Sequence, residues 1–523
     1  MTQDGALVRH VIDRVGYGPR AGDLDLIASR GVDRWLDDQI NPSAIAIPAD
    51  LTRHLDSLAT LRMTPTETFV TYGPPSYRPP GGGKPTADDL KAAIEKGRVV
   101  PAEAVEARLL RAISSPRQLE ERMVEFWFNH FNVFVGKGLD RLWVGAYEQE
   151  AIRPHVLGKF RDLLGATAKH PAMLFYLDNW QNTAPGSPGV RGDFQGLNEN
   201  YARELMELHT LGVNGGYTQD DVVNLARILT GWGFARRDEN EGRPRRRLGF
   251  FGRALMERPS AMRAVARGRR AFYFDPDRHD TGTKTLLGRA IPGRRGDDGV
   301  AEGEEALDML AQAPATARHI SYQLAQFFVA DAPDPALVET MANTFQSSGG
   351  DIKAVVRVML WSAAFRDPAI YATRFKTPYH YVLSAVRATG IEVRNIKPLY
   401  GMLAQLGQPL YGCQTPDGFK CTTDAWLNAD AMTRRISFAV ALGAGRLPLD
   451  ADPDPQGFNA RRPERMAEKE PAFLKANGTP VATSTLMTTL GDRFSQTTVG
   501  AVNAAAPPLQ PGLLLGSPEF MKC

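Results

Sequence analysis

Apolar residues return along this chain mostly every three or four positions. The pattern holds over roughly 21–40, 50–61, 88–97, 101–114, 117–135, 143–156, 160–169, 198–211 and 218–231. It resumes over 301–312, 315–329, 335–347, 351–362, 378–389, 397–406 and 424–442. Each stretch predicts a helix. Only Ala271-Phe-Tyr-Phe-Asp, followed by a turn and Lys284-Thr-Leu-Leu-Gly, reads as strand, and together they predict a β-hairpin. The expected fold is mainly α: a multi-helical single large unit with one small β-hairpin.

Three stretches interrupt the pattern. Residues 72–88 and 181–196 are rich in Pro and Gly. The second leads straight into the 198–211 helix, where it is either a plain surface connection or one wall of a pocket. Residues 236–270 hold twelve arginines. This insertion is expected to be solvated and dispensable for folding; the alternative is that it binds an anionic polymer or a membrane surface. The breaks suggest an N-terminal helical region (1–235), the Arg-rich insertion (236–270), a hairpin with C-terminal helices (271–445) and a Pro-rich wrapping tail (446–523). Within that tail, Leu513 to Phe520 reads as a closing apolar anchor.

Composition changes this picture little. The chain has 523 residues, 43% hydrophobic and 23% charged, which suits a globular protein with a large core. A net charge of +3 gives no general preference for nucleic acid. No run of eighteen apolar residues exists, so no membrane span is expected. The first residues lack a signal-peptide pattern, which leaves either a cytoplasmic protein or one whose leader is absent from this chain.

The candidate chemistry lies on two helices. In Asn198 to His209, Asn198 is the expected N-cap, and Tyr201, Ala202, Leu205, Met206 and Leu208 share one face with His209 near its centre. Glu204 lies on the border of that face, while Arg203 and Glu207 point away. In the 117–135 helix, His130 lies among Leu119, Met123, Phe126, Trp127, Phe131 and Phe134, with Glu125 and Asn129 expected on the outside. A buried imidazole needs a partner. It can be a core residue bonded to a backbone carbonyl, or one half of a shared His130/His209 site. In the second case the ring nitrogens should lie within about 8 Å, the span of two ligands on one ion or water.

Two further groups extend the candidate set. The turn Asp275-Pro-Asp-Arg-His279-Asp280-Thr-Gly-Thr-Lys284 combines His, Asp and Lys, and would close the site from the hairpin; these are also ordinary turn residues. His319 lies at the edge of its helix's apolar stripe. Catalytic candidates are therefore His130, His209, Glu204, His279, Asp280 and Lys284. Candidate ligands for a divalent transition metal are His130, His209, Glu204, His279 and His319. The spacing matches no standard metal, hydrolase, nucleotide or dinucleotide signature, and metal-free acid–base catalysis stays open. Cys413 and Cys421 bracket a Pro-Asp-Gly turn and are expected to form a disulfide, which would imply an oxidising compartment; two free thiols are the alternative. Cys523 is expected to be mobile and unpaired.

At these motifs the chain resembles the domain-of-unknown-function 1800 family of bacterial proteins. The likeness runs from His10-Val-Ile-Asp-Arg-Val-Gly-Tyr-Gly-Pro through Phe126-Trp-Phe-Asn-His-Phe. It is strongest at Glu199-Asn-Tyr-Ala-Arg-Glu-Leu-Met-Glu-Leu-His-Thr-Leu-Gly-Val, and continues through Leu229-Thr-Gly-Trp232, His279 to Gly288, the His319 helix and Ser517-Pro-Glu-Phe. The resemblance implies no reaction. It does imply export to the periplasm or beyond, and a sulfatase-like protein encoded nearby as partner. The expected function is that of an extracytoplasmic enzyme with a histidine/carboxylate site, leaning to hydrolysis over oxidation. The alternative is a non-catalytic extracellular polymer-binding or assembly protein whose histidines are core residues.

Overall fold

A computed structural model describes residues 3–73, 86–190, 194–234, 271–452 and 478–523. The Arg-rich insertion and most of the Pro-rich tail lie outside these residues. The fold is mainly α with a small β component. The helices that frame the sites are α1 (Val99–Ser114), α2 (Gln118–His130), α3 (Asn200–Glu207), α4 (Gln219–Ile228), α5 (Val300–Gln312), α6 (Pro314–Phe328) and α7 (Pro378–Thr389). One apolar cluster runs from Val8 near the N-terminal end to Met521 near the C-terminal end.

Local chemistry sets most element ends. Gly31, at φ +83°, divides the predicted 21–40 helix into Asp23–Arg30 and Val32–Ile40, because a left-handed residue cannot continue a right-handed helix. Thr218 and Asp221 form a capping box that starts α4. Asn428 caps Ala429–Gly443 and separates it from Thr423–Trp426, so the predicted 424–442 helix is two. The predicted 143–156 helix is Asp140–Tyr147 followed by a wide turn over Glu148–Ile152, and it stops near Pro154.

The predicted hairpin does not form. Its first half, β2 (Phe272–Phe274), pairs antiparallel with β1 (Trp232–Phe234), with Trp232 opposite Phe274. Its second half, β3 (Lys284–Leu286), makes its own tight hairpin with β4 (Arg289–Ile291) across Leu287-Gly288, both at positive φ. Between β2 and β3 a short helical turn, Pro276–Arg278, is fixed by the Asp275 side chain.

Two further expectations change. From Glu121 to Phe128 helix α2 is buried on every side: Glu121, Arg122 and Glu125 are enclosed along with Met123 and Trp127, so Glu125 does not face solvent, while Asn129 is half-buried. The polar side of the wheel meets protein because its charges are paired there. Cys523 is buried and its backbone pairs with Arg374 in both directions, so the terminal residue is held rather than mobile. Of the C-terminal anchor, Leu514, Leu515 and Phe520 enter the core, whereas Leu513 stays exposed.

Candidate functional site

Helix α3 ends two residues before His209. Asn198 accepts from the Asn200 backbone N–H one step ahead of the helix, and Leu208 and His209 both donate to the Glu204 carbonyl. Thr210 Oγ1 then donates to the Leu205 carbonyl at 2.6 Å, so α3 cannot continue in α geometry. The last carbonyls of this turn need donors from elsewhere, and histidines supply them. His319 Nε2 donates to the Leu208 carbonyl at 3.2 Å, and His130 Nε2 donates to the His209 carbonyl at 3.1 Å. His209 therefore follows the helix instead of sitting in the middle of it.

Three imidazoles thus share one site. The His130 ring centroid is 6.1 Å from that of His209 and 6.3 Å from that of His319. Burial dominates their chemistry. His130 is held down to about 3, first by desolvation and then by His319, against the pull of its bonds to His209 and Gln323. Burial and the two neighbouring rings hold His209 well below the ordinary imidazole value, and burial lowers His319. All three are neutral near pH 7. Because His130 carries its proton on Nε2, its Nδ1 is an acceptor. Gln323 Oε1 lies 2.7 Å from that nitrogen, and a half-turn of the amide gives Nδ1 the NH2 donor it can accept from. By the same logic His319 Nδ1 is unprotonated. A Cβ on Gly212, which sits at φ +83°, would lie 2.9 Å from it. His209 packs against Phe131 and Tyr201, is 1% exposed, and its Nε2 has no hydrogen-bond partner among the described residues.

A cleft of about 610 Å³ opens beside this cluster, with His319, Gln323, Tyr322, Gln326, Asn214 and the Arg318/Glu339 pair in its lining. His319 and the partner of His130 both face it. His130 and His209 lie behind them, so the cluster has an accessible front and a buried back. An unprotonated Nδ1 on an imidazole whose Nε2–H is already committed can accept a proton from a molecule in the cleft.

The other expected members stand elsewhere. The Glu204 carboxylate bonds none of the rings. Burial, and then Glu207, raise it, with Asp417 adding to the effect. His279, Asp280 and Lys284 form a closed ion cluster around Glu302 on α5. His279 Nε2 is 3.1 Å from Glu302 Oε1, Lys284 Nζ is 2.6 Å from Oε2, and Arg227 Nε is 2.8 Å from Asp280 Oδ2. Burial alone would raise Glu302; the bonds from His279, Lys284 and the Arg294 backbone outweigh it and hold its carboxyl below the ordinary value. Among the described residues no hydrogen bond joins this cluster to His130, His209 or His319; the strand that carries Lys284 packs mainly on α4. In the described part of the Pro/Gly-rich 181–196 loop, Ala184 and Gly189 donate to the carbonyls of Arg278 and Asp277.

The residues do not fit a metal. Both His130 nitrogens and His319 Nε2 already have protein partners, and no described group of three or more His, Cys, Asp or Glu is arranged to hold an ion. Nor does the structure form the expected disulfide. Cys413 and Cys421 are free thiols, the first beside Thr415 and the second beside Gln326. The loop between them is spread over the end of α2. Asn129 bonds both the N–H and the carbonyl of Phe419, and Asn132 donates to the carbonyls of Cys413 and Thr415.

A second constellation was not expected from the sequence. Tyr17 and Arg122 both bond Glu125 Oε2; Arg108, Arg153 and Tyr411 converge on Glu148, and Arg153 also pairs with Glu121. Burial would raise Glu148, but the two arginines and Tyr411 bring it down to about 2. The available signal was Glu121-Arg122 followed one turn later by Glu125, on a helix whose other side is aromatic. Charges at that spacing support each other, and a helix apolar on one side with paired charges on the other can be buried whole.

The model of a family described as a protein of unknown function, DUF1800, matches residues 10–522. No curated protein and no solved structure matches the chain.

Proposed function

The chain belongs to the DUF1800 family, and from the chemistry of its histidine cleft we propose that it is a metal-independent acid–base enzyme, most simply a hydrolase. The observation that carries this reading is His319: a neutral imidazole in the wall of a 610 Å³ cleft, its Nε2–H tied to the Leu208 carbonyl and its Nδ1 bare. In the proposed step Nδ1 takes a proton from water as that water attacks an acyl or similar centre in the cleft. The imidazolium so formed is steadied by the Leu208 carbonyl at the negative end of α3, and then protonates the leaving group. Gln323 and Arg318 are placed to orient the substrate. His130 and His209 hold the wall from behind. An extracytoplasmic location belongs to the same proposal on the family resemblance alone, and fractionation of the native host tests it.

Chromogenic acyl, phosphoryl, sulfuryl and glycosyl esters offered to the purified chain provide the test. His319→Gln keeps an amide N–H for Leu208 but removes the base. The expected result is turnover of at least one ester class, reduced at least 100-fold in His319→Gln with the melting temperature unchanged. Turnover that survives the substitution, or none of any class, overturns the reading.

One observation favours a second reading. His130 and His319 both donate to orphaned carbonyls at the end of α3, which is work that purely structural histidines do. The chain would then be a non-catalytic binding or assembly protein, and the cleft its docking site.

A further inference from the structure

A second cavity, of about 50 Å³, lies between α1, α2, α7 and the loop from Gln408 to Cys421. Arg108, Glu125, Asn132, Tyr379, Cys413 and Cys421 are in its lining, together with aromatic rings. The charged groups are deeply enclosed, Arg108 at 2% exposure and Glu125 at 8%. Their bonding is incomplete in complementary ways. Arg108 gives Nη1 to Glu148, while its Nε has no partner among the described residues. Tyr379, 3% exposed, has the Arg108 guanidinium turned toward its oxygen, while its own O–H donates to no described residue. Glu125 Oε2 accepts from Tyr17 and Arg122, and no described residue donates to Oε1. One part of the wall therefore has donors to spare and another has an acceptor. Each charge in the lining already has an opposite partner, Lys420 with Asp417, Arg108 with Glu148 and Glu125 with Arg122, so the wall carries no net charge. Unsatisfied polar groups in such a place are costly unless something fills them.

We propose that this cavity binds a small zwitterion, a free α-amino acid with no side chain larger than a methyl group, its carboxylate toward Arg108 and Tyr379 and its ammonium toward Glu125. The charge balance argues against a ligand with net charge, which would leave one wall opposite a like or missing partner. The volume sets the size limit: at roughly 10–15 Å³ per water it holds about four, close to glycine or alanine. The wall is also held in a costly conformation. Tyr411, which bonds Glu148 from the cavity lining, sits at φ +59°, a region that non-glycine residues rarely adopt and that concentrates at binding sites. The Gln408–Cys421 loop covers the cavity and Asn129 holds it there.

Calorimetric titration of the full chain with glycine, L-alanine, propionate and ethylamine tests the proposal. Glycine and L-alanine should give saturable heats, with propionate and ethylamine at least tenfold weaker. Cys413→Met, which fills the cavity and leaves the charges alone, should abolish L-alanine binding; Cys413→Ala, which enlarges it, should retain binding. The proposal is overturned if neither amino acid binds, if propionate or ethylamine matches L-alanine, if Cys413→Met still binds, or if a folded Cys413→Ala does not.

Discussion

His209 is enclosed by aromatic rings with a nitrogen that bonds none of the described residues, which is an unusual place for an imidazole. Leu has nearly the same volume and no polar atom. His209→Leu is therefore expected to hold or raise stability, since it removes an orphaned polar group worth about 1–3 kcal/mol. His209→Ala should lose about 1–3 kcal/mol to the cavity it opens. Denaturant titration of both variants checks this. A loss in His209→Leu as large as in His209→Ala would mean that Nε2 has a partner after all. Gly212 is the complementary position. At φ +83°, with His319 Nδ1 at 2.9 Å from any added Cβ, Gly212→Ala should cost about 1–3 kcal/mol and close off the proposed base. Carbethoxylation of His319, followed by peptide mapping, should slow in that variant; an unchanged rate would contradict the facing assigned to Nδ1.

At the scale of elements, the end of α2 positions the loop that covers the small cavity. Asn129 holds Phe419 through two bonds of 2.8 Å. Asn129→Ala should leave α2 intact and free the loop, so the Phe419 amide should lose hydrogen-exchange protection while amides of Met123 to Trp127 keep theirs. Equal protection at Phe419 in both proteins would show that other contacts hold the loop. The closed ion cluster on α5 makes a different prediction. Glu302 is fully enclosed and bonds His279, Lys284 and the Arg294 backbone. Glu302→Gln removes the nearer carboxylate from buried Lys284, leaving Asp280 at 3.7 Å, and should cost about 2–4 kcal/mol. A near-neutral effect in thermal unfolding would mean that the cluster is solvated.

The whole molecule carries several histidines that fold in their neutral form. His10 and His130 are both held down to about 3 by burial, against roughly 6.5 in an unfolded chain. The unfolded state therefore binds more protons than the native state below pH 6.5. Stability is full above that value, and it falls as pH drops from 6.5 toward 3. Each such histidine should remove at most about 2 kcal/mol between pH 7 and pH 5. Urea midpoints measured across that range should decline. His130→Asn should decline less steeply, by up to one proton's worth of slope, and identical slopes would refute the neutral assignment.

Much of this architecture was legible in the chain's periodicity. The helices at Pro335–Ser347 and Pro378–Thr389 lie where the apolar spacing puts them. His130 and His209 are buried because each lies among apolar neighbours in its own segment, and burial of that kind is a local property of composition and period. What the spacing could not decide was partnership. Phe272–Phe274 reads as strand from its own residues, yet its mate is Trp232–Phe234 and not Lys284–Leu286. Glu125 reads as a surface residue until Tyr17 and Arg122, brought in by packing, make its burial tolerable. The cysteines read as a pair until Asn129 and Asn132 spread their loop. His319 joins His130 only because both rings reach carbonyls at the end of the same helix. Period and composition report how each residue prefers to meet water. Which polar group meets which is set by long-range packing, and that is a property of the folded whole.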